Sequence, residues 1–444
     1  MTAMKDVGRE METTAIPEAL PQERLLSAEG RPEGVLKERP EDFLVEELPL
    51  YEPCGEGEHL YLGIQKRHMP HGELLRLLTR HFGVPESAVG AAGMKDRIAI
   101  TRQTVSVHLP GRAAEGPVGE IDLGTDRATV LWTAWHRNKL RRGHLAGNRF
   151  VIRIRRVDPL AAPRIWRGLQ RLEREGCPNY FGPQRFGYRG NTHRLGALVL
   201  REDWDGVLSE LLGAGGSAFP EHQRKGRIAF DEGRLDEAES AWGRNDHAER
   251  IALRKFARNG NARRAVLSTG DHTRSFWVSA AQSAIFNHLL DERLRAGALG
   301  TLEPGDVAFL HDREAAFLVG DEDPAELAAR VEAREISPAG PLWGRKLLEA
   351  GGEVAAREIA ALQRFGLDRT LVETSREAPD GARRPYRLFP ANVELDAGTD
   401  EQGPYVRVAF DLPKGAFATV VMRELIDEQP AEPRPAAEGG PGQG

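Results

Sequence analysis

Apolar and polar residues alternate in short runs along the first third of the chain. They give way to helical spacing through a long middle stretch and alternate again only near the end. Side chains switch faces with period two on a strand and recur with period 3.6 on a helix, so this order predicts strand-rich flanks around a helical middle. In the first flank Phe43 and Val45 share a face, and Leu60, Leu62 and Ile64 alternate over 59–65. From Gln103 onward, Val105, Val107 and Leu109 fall opposite Thr104, Ser106 and His108. Ala128, Val130, Trp132 and Ala134 mark another strand, and over 149–156 Phe150, Ile152 and Ile154 oppose Arg149, Val151, Arg153 and Arg155. Leu74, Leu75, Leu77, Leu78 and Phe82 recur at helical spacing up to Gly83, and Ile165, Leu169 and Leu172 mark a helix within 159–176 that Gly176 ends. From about 177 to 391 helical patterns dominate, with short alternating runs between Leu302 and Val319; Val406, Val408 and Phe410 then restore the strand pattern.

The chain has 444 residues, enough for two domains with a sizeable core. Its net charge of −6 is concentrated at the ends. Residues 1–33 carry seven acids and four bases, and residues 427–444 carry four acids and one base, so each end contributes −3 and the body is neutral. Both ends lack periodicity; 1–33 reads as a mobile extension and 427–444 as a disordered acidic tail. Cys54 and Cys177 are too few for a disulfide framework or a zinc site. His59, His68, His71 and His81 do not place two on one helical turn with a third acid, so no metal is expected. No phosphate-binding loop of the Walker type, no internal repeat and no bilayer-length apolar run occurs, and a secretory signal pattern is missing. These features predict a cytoplasmic protein.

Three stretches carry chemistry. In Gly93-Met94-Lys95-Asp96-Arg97 a single acid sits between two cations, after glycines and before a strand. Neighbouring positive charge favours the carboxylate, and an ionised acid at a strand mouth can serve as nucleophile or electrostatic stabiliser. Taken alone, the stretch also reads as a solvated surface turn. Between 136 and 156 stand eight Arg or Lys and no acid, a plausible ledge for phosphates. Further basic tracts lie at 222–227 and 250–264. Asn179-Tyr180-Phe181-Gly182-Pro183-Gln184-Arg185-Phe186-Gly187 could stack bases or pack a domain junction, and packing is the expected reading.

Five ordered strings together resemble the TruD family of tRNA pseudouridine synthases: VLKERPEDFLVEE (35–47), GMKDRIAITRQ (93–103), KLRRGHLAGNRF (139–150), NYFG.QRFG (179–187) and LPKGAFATVVMREL (412–425). The resemblance covers roughly 34–426. It implies an α+β chain: a pseudouridine-synthase fold, meaning a mixed, mainly antiparallel sheet flanked by helices, with an inserted α/β TRUD domain. The catalytic domain would be discontinuous, at 34–176 and 392–426, with the insertion at 177–391. By the same resemblance Asp96 is the catalytic residue and Phe43, Asn148 and Phe417 contact the target nucleotide. Lys37 lies near Asp96, and Phe150 packs under the flipped base. Read singly, Phe43 is a core aromatic and Asn148 a turn residue after Gly147.

The implied reaction isomerises uridine 13 of tRNA to pseudouridine, with no cofactor and no metal, by an enzyme expected to be a monomer whose partner is tRNA and not a membrane. The target base must leave its stack before its C5 and sugar can be reached. An RNA-binding protein without chemistry would keep the basic tract and the aromatics but have no need of Asp96. An unrelated hydrolase would require a second acid that no motif supplies.

Overall fold

A computed structural model describes residues 16–26, 31–93, 95, 99–112, 120–243, 246–320 and 322–430. The described residues fall into two compact units, one within Leu25–Cys177 and Leu388–Gly444, the other within Met1–Arg24 and Pro178–Arg387.

The first unit is built on one large sheet. Its strands are β1 (Phe43–Pro49), β2 (His59–Arg67), β3 (Val89–Ala91), β4 (Ile100–His108), β5 (Ala128–His136), β6 (Leu145–Arg155), β7 (Ala391–Asp400) and β8 (Gly403–Pro413). Their order across the sheet is β7-β8-β6-β1-β4-β2-β5, with β3 on β4. Every pairing is antiparallel except β1 with β4. Strands from both ends of the sequence therefore hydrogen-bond directly, and Phe410 of β8 lies opposite Phe150 of β6.

Helix α1 (His71–Phe82) buries Leu74 and Leu78 in a core with Leu60, Leu62 and Ile64 of β2 and Val105 and Val107 of β4. It stops at Gly83, whose left-handed conformation lets its N–H bond the Thr79 carbonyl. Helix α2 (Ala162–Glu175) buries Ile165, Leu169 and Leu172, the three residues read from the sequence, and packs against β7 and the C-terminal helix Ala418–Leu425.

One strand departs from its simple alternation. Gly63 pairs with Trp132 and Ile64 with Val130, which leaves Leu131 as an extra residue in β5. Such a bulge reverses the facing of everything after it. Ala128 and Val130 face the core as expected, but beyond Leu131 it is Trp135 that is buried, while Trp132 is 43% exposed. Trp132 lies across Gly63, where a Cβ would stand 2.1 Å from the indole nitrogen, so only glycine fits beneath it.

In the second unit, α3 (Thr192–Leu200) and the long α6 (Asp271–Arg295) pack so closely that a Cβ on Gly196 would meet the Trp277 carbonyl at 2.0 Å. Helices α4 (His247–Asn259) and α5 (Ala262–Leu267) join at Gly260. A small antiparallel sheet runs in the order 315–318, 307–310, 336–342, 382–385. The aromatics of the 179–187 string are packing residues here. Tyr180, Phe181 and Phe186 are buried; the Tyr180 hydroxyl donates to Asp291 at 2.6 Å, and Phe181 meets Phe286 edge-on.

Residues 16–24, assigned to a mobile extension on sequence grounds, are held in this unit. Ala19 is buried and its carbonyl accepts from Asn287 Nδ2 at 2.9 Å. The Pro17 carbonyl accepts from His193 Nε2 at 3.0 Å, and the Gln22 and Glu23 amides donate to the Asp291 carboxylate. Low periodicity hid this because the segment binds chiefly through its backbone.

Candidate active site

The path to the site begins with a buried anchor at the mouth of β1. Asp42 closes a short turn over Pro40–Asp42 by accepting from the Arg39 amide at 3.2 Å. Its carboxylate also accepts from Arg155 at 2.6 Å, and both side chains are buried. Asp400 binds the same guanidinium at 2.7 Å; that bond holds the Asp400 carboxyl far below the usual range and pushes the arginine up. This fixes where Phe43 leaves the turn. Lys37 precedes it in a left-handed conformation with φ of 55°, which costs a non-glycine residue roughly 1–3 kcal/mol. Its ammonium lies 4.2 Å from the centre of the Phe43 ring. Phe43 in turn meets Phe150 edge-on at 6.2 Å, and Phe150 lies 5.9 Å from Phe410. The Phe43 ring is 1% exposed, so in this state it offers no open face to a base.

Lys37, Phe43 and Phe150 are thus brought together by β1 and β6. Asn148 lies two residues before Phe150, opposite Glu47 of β1 and Leu412 of β8. Phe417 is the half-buried residue just before the C-terminal helix, four residues beyond Pro413, which pairs with Gly147. Asp96 lies outside the described residues, as do Met94, Arg97 and Ile98.

Lys95, the residue immediately before Asp96, is fixed at both ends. Its ammonium reaches Glu47 Oε2 at 2.9 Å and Asn148 Oδ1 at 2.5 Å, with Lys95 and Glu47 side chains both buried. Its carbonyl accepts from the buried Lys66 ammonium at 3.5 Å, and Lys66 also donates to the Met69 carbonyl at 2.7 Å. The second oxygen of Glu47 accepts from the Thr104 amide of β4 at 3.3 Å. A buried pair of this kind depends on further hydrogen bonds to its two partners, which Asn148 supplies to Lys95 and the Thr104 amide to Glu47.

Glu47, Lys66, Lys95, Thr101 and Gln103 are additions to the residues singled out in the sequence. Thr101 Oγ1 and both polar atoms of the Gln103 amide are buried and make no hydrogen bond among the described residues. A signal for Glu47, Thr101 and Gln103 existed. Glu47 continues the face of Phe43 and Val45, and Asn148 the face of Phe150 and Ile152. Gln103 and Thr101 continue the face of Val105 and Val107. Polar residues that interrupt apolar faces on neighbouring strands mark the centre of the sheet.

The arginines expected to form a phosphate ledge along 149–156 are met by acids from neighbouring elements. Arg149 pairs with Asp411 and Glu394, Arg153 with Asp400, Arg155 with Asp42 and Asp400, and Arg156 with Glu38. Arg137 pairs with Glu56, while Arg141 and Arg142 stay exposed without a partner among the described residues. In the second unit, Lys255, Arg258, Arg263 and Arg264 of α4 and α5 are exposed and Arg250 is half-buried, and none is ion-paired among the described residues.

Among the described residues no three His, Cys, Asp or Glu side chains converge as a metal site, and no helix is long and apolar enough to cross a membrane. Cys177 is buried, and burial pushes its thiol well above the usual range, so it is no nucleophile.

The fold and site together define a class. The architecture matches a crystal structure of a protein from Methanosarcina mazei described as a tRNA pseudouridine synthase D, with a TM-score of 0.73 over 92% of this chain and 95% of that one, at 23% identity. At the level of sequence, residues 22–425 match the family model of tRNA pseudouridine synthase D (TruD). The tRNA pseudouridine synthase D of Geobacter sulfurreducens is 41% identical over 395 residues, covering 88% of this chain and 94% of that protein. That of Geotalea daltonii is 40% identical over 397 residues, covering 88% and 96%. The chain belongs to the TruD family of tRNA pseudouridine synthases, which are isomerases.

Proposed function

We propose that this chain isomerises uridine 13 of tRNA to pseudouridine, with Asp96 as the nucleophile and no cofactor. The N1–C1′ bond breaks, the uracil turns and C5 bonds to C1′; the proton leaves C5, and N1 carries one in the product. The observation that carries the reading is the clamp on Lys95. Lys95, the residue before Asp96 in sequence, is held at its ammonium by Glu47 and Asn148 and at its carbonyl by Lys66. Pre-organisation of that kind is what an attacking group needs. Phe43, Asn148 and Phe417 receive the flipped nucleotide, while Lys37 and Phe150 support them. Because Phe43 is covered, the base enters only as the ring becomes uncovered.

In this reading 34–176 with 392–426 forms the catalytic domain and 177–391 the TRUD insertion. Arg250, Lys255, Arg258, Arg263 and Arg264, not ion-paired among the described residues, supply phosphate contacts. The enzyme works as a monomer in the cytoplasm, where its substrate is. Modification mapping of total tRNA from cells lacking this protein tests the assignment. Loss of pseudouridine at position 13 alone supports it; unchanged modification there, with loss in the anticodon arm or in ribosomal RNA, refutes it.

A further inference from the structure

We infer that Glu47 and Lys95 are positioning residues that set the polarity of Asn148, so that Asn148 meets the target nucleotide as a hydrogen-bond donor through Nδ2. The inference rests on the reading that Asn148 contacts the target. An asparagine amide has a donor end and an acceptor end, and its neighbours decide which end points where. A lysine ammonium only donates. Lys95 Nζ lies 2.5 Å from the Asn148 amide, so the end turned to it is the oxygen, Oδ1. The NH2 group is left on the other side and makes no hydrogen bond among the described residues. The backbone of Asn148 is already committed to the ladder between Glu47 and Leu412, which leaves the side chain as the part free to serve a ligand.

Glu47 makes the arrangement one-way. Its Oε2 holds the Lys95 ammonium at 2.9 Å, and its Oε1 is tied to the Thr104 amide at 3.3 Å, so the carboxylate cannot swing away. The Glu47 carboxylate keeps the Lys95 ammonium pointed at Asn148. With a neutral amide at position 47, the ammonium loses its counter-charge and Asn148 is free to turn over. A uracil carbonyl or a ribose hydroxyl oxygen would accept from Nδ2. A group that could only donate would be rejected there.

The test measures single-turnover pseudouridine formation and the dissociation constant for whole tRNA. It compares the wild type with Glu47→Gln, Asn148→Ala, the double variant Glu47→Gln/Asn148→Ala, and Asn148→Asp. Glu47→Gln should lower the rate constant roughly 10- to 100-fold, the range expected for a misplaced contact, with affinity changed less than about twofold. In the Asn148→Ala background the same change should cost less than about twofold more, because residues acting through one another are not additive. Asn148→Asp keeps the acceptor toward Lys95 and deletes the donor, so it should be as impaired as Asn148→Ala. This variant keeps the anchor and remains informative if Glu47→Gln folds poorly. Additive losses, an unimpaired Glu47→Gln, or an Asn148→Asp variant of wild-type rate would each overturn the inference while leaving Asp96 chemistry intact. An unimpaired Asn148→Ala would overturn the target contact and the inference with it. A wild type that makes no pseudouridine would overturn the functional reading itself.

Discussion

At the scale of single residues, the site is made where polar groups stand on faces that the strand pattern reserves for apolar ones. Glu47, Asn148, Thr101 and Gln103 all do so. A close reading of alternation could have found them, since burying such groups is unfavourable unless something answers them. The partnership of Lys95 with Glu47 and Asn148 could not have been read, because it joins a residue outside the strands to two strands paired through the register of the sheet. We expect Asp96→Asn to abolish turnover, since the amide keeps the shape but is no comparable nucleophile, while tRNA affinity stays within about twofold of the wild type. Appreciable pseudouridine formed by purified Asp96→Asn would contradict the role. His193 gives a second test at this scale. Burial lowers its pKa, and it donates to the Pro17 carbonyl as a neutral ring. A histidine whose folded pKa lies below its unfolded value adds stability above about 6.5 that fades as pH falls through that value. Deleting residues 1–24 uncovers the ring, so its titration, followed by NMR, should move up toward 6.5. A midpoint unmoved by the deletion would show that the segment does not bury it.

At the scale of elements, every strand and helix with a clean period was legible: β1, β2, β4, β6, β8, α1 and α2 fall where alternation or helical spacing put them. The exceptions have physical causes. The Leu131 bulge in β5 turns Trp132 outward, and no period can announce an inserted residue. Charge was harder to read than hydrophobicity. The eight cations of 136–156 look uncompensated along the chain, yet Asp42, Asp400, Asp411, Glu38 and Glu394 come from elsewhere to meet those of β6 and Arg156. Lys255, Arg258, Arg263 and Arg264 of α4 and α5 find no such partners among the described residues. Replacing Arg258 and Arg263 with glutamine should therefore reduce the slope of log Kd against log salt for tRNA by roughly 0.7–0.9 per cation. Arg149→Gln should leave that slope unchanged. Equal slopes for the α4–α5 variants and the wild type would remove this surface from the RNA interface.

At the scale of the whole molecule, strands from both ends of the chain complete one sheet, the middle of the chain forms its own compact unit, and the family match spans both. The order of patterns along the sequence displayed that plan, although only resemblance gave it a name. The part hidden from the sequence was the role of residues 16–24, whose contacts run through backbone amides and carbonyls. Removing residues 1–24 strips the Asp291 carboxylate of its donors from Gln22 and Glu23, and should destabilise the unit of 178–387 by about 2–4 kcal/mol. Thermal unfolding reads this directly, and an unchanged Tm would show the segment to be dispensable. The central claim is that this chain forms pseudouridine at one tRNA position through Asp96. It is tested most directly by incubating purified wild-type and Asp96→Asn protein with unmodified whole tRNA and mapping the product by carbodiimide chemistry. The account predicts pseudouridine at position 13 with the wild type and none with the variant; product at other positions only, or equal product from both proteins, would contradict it.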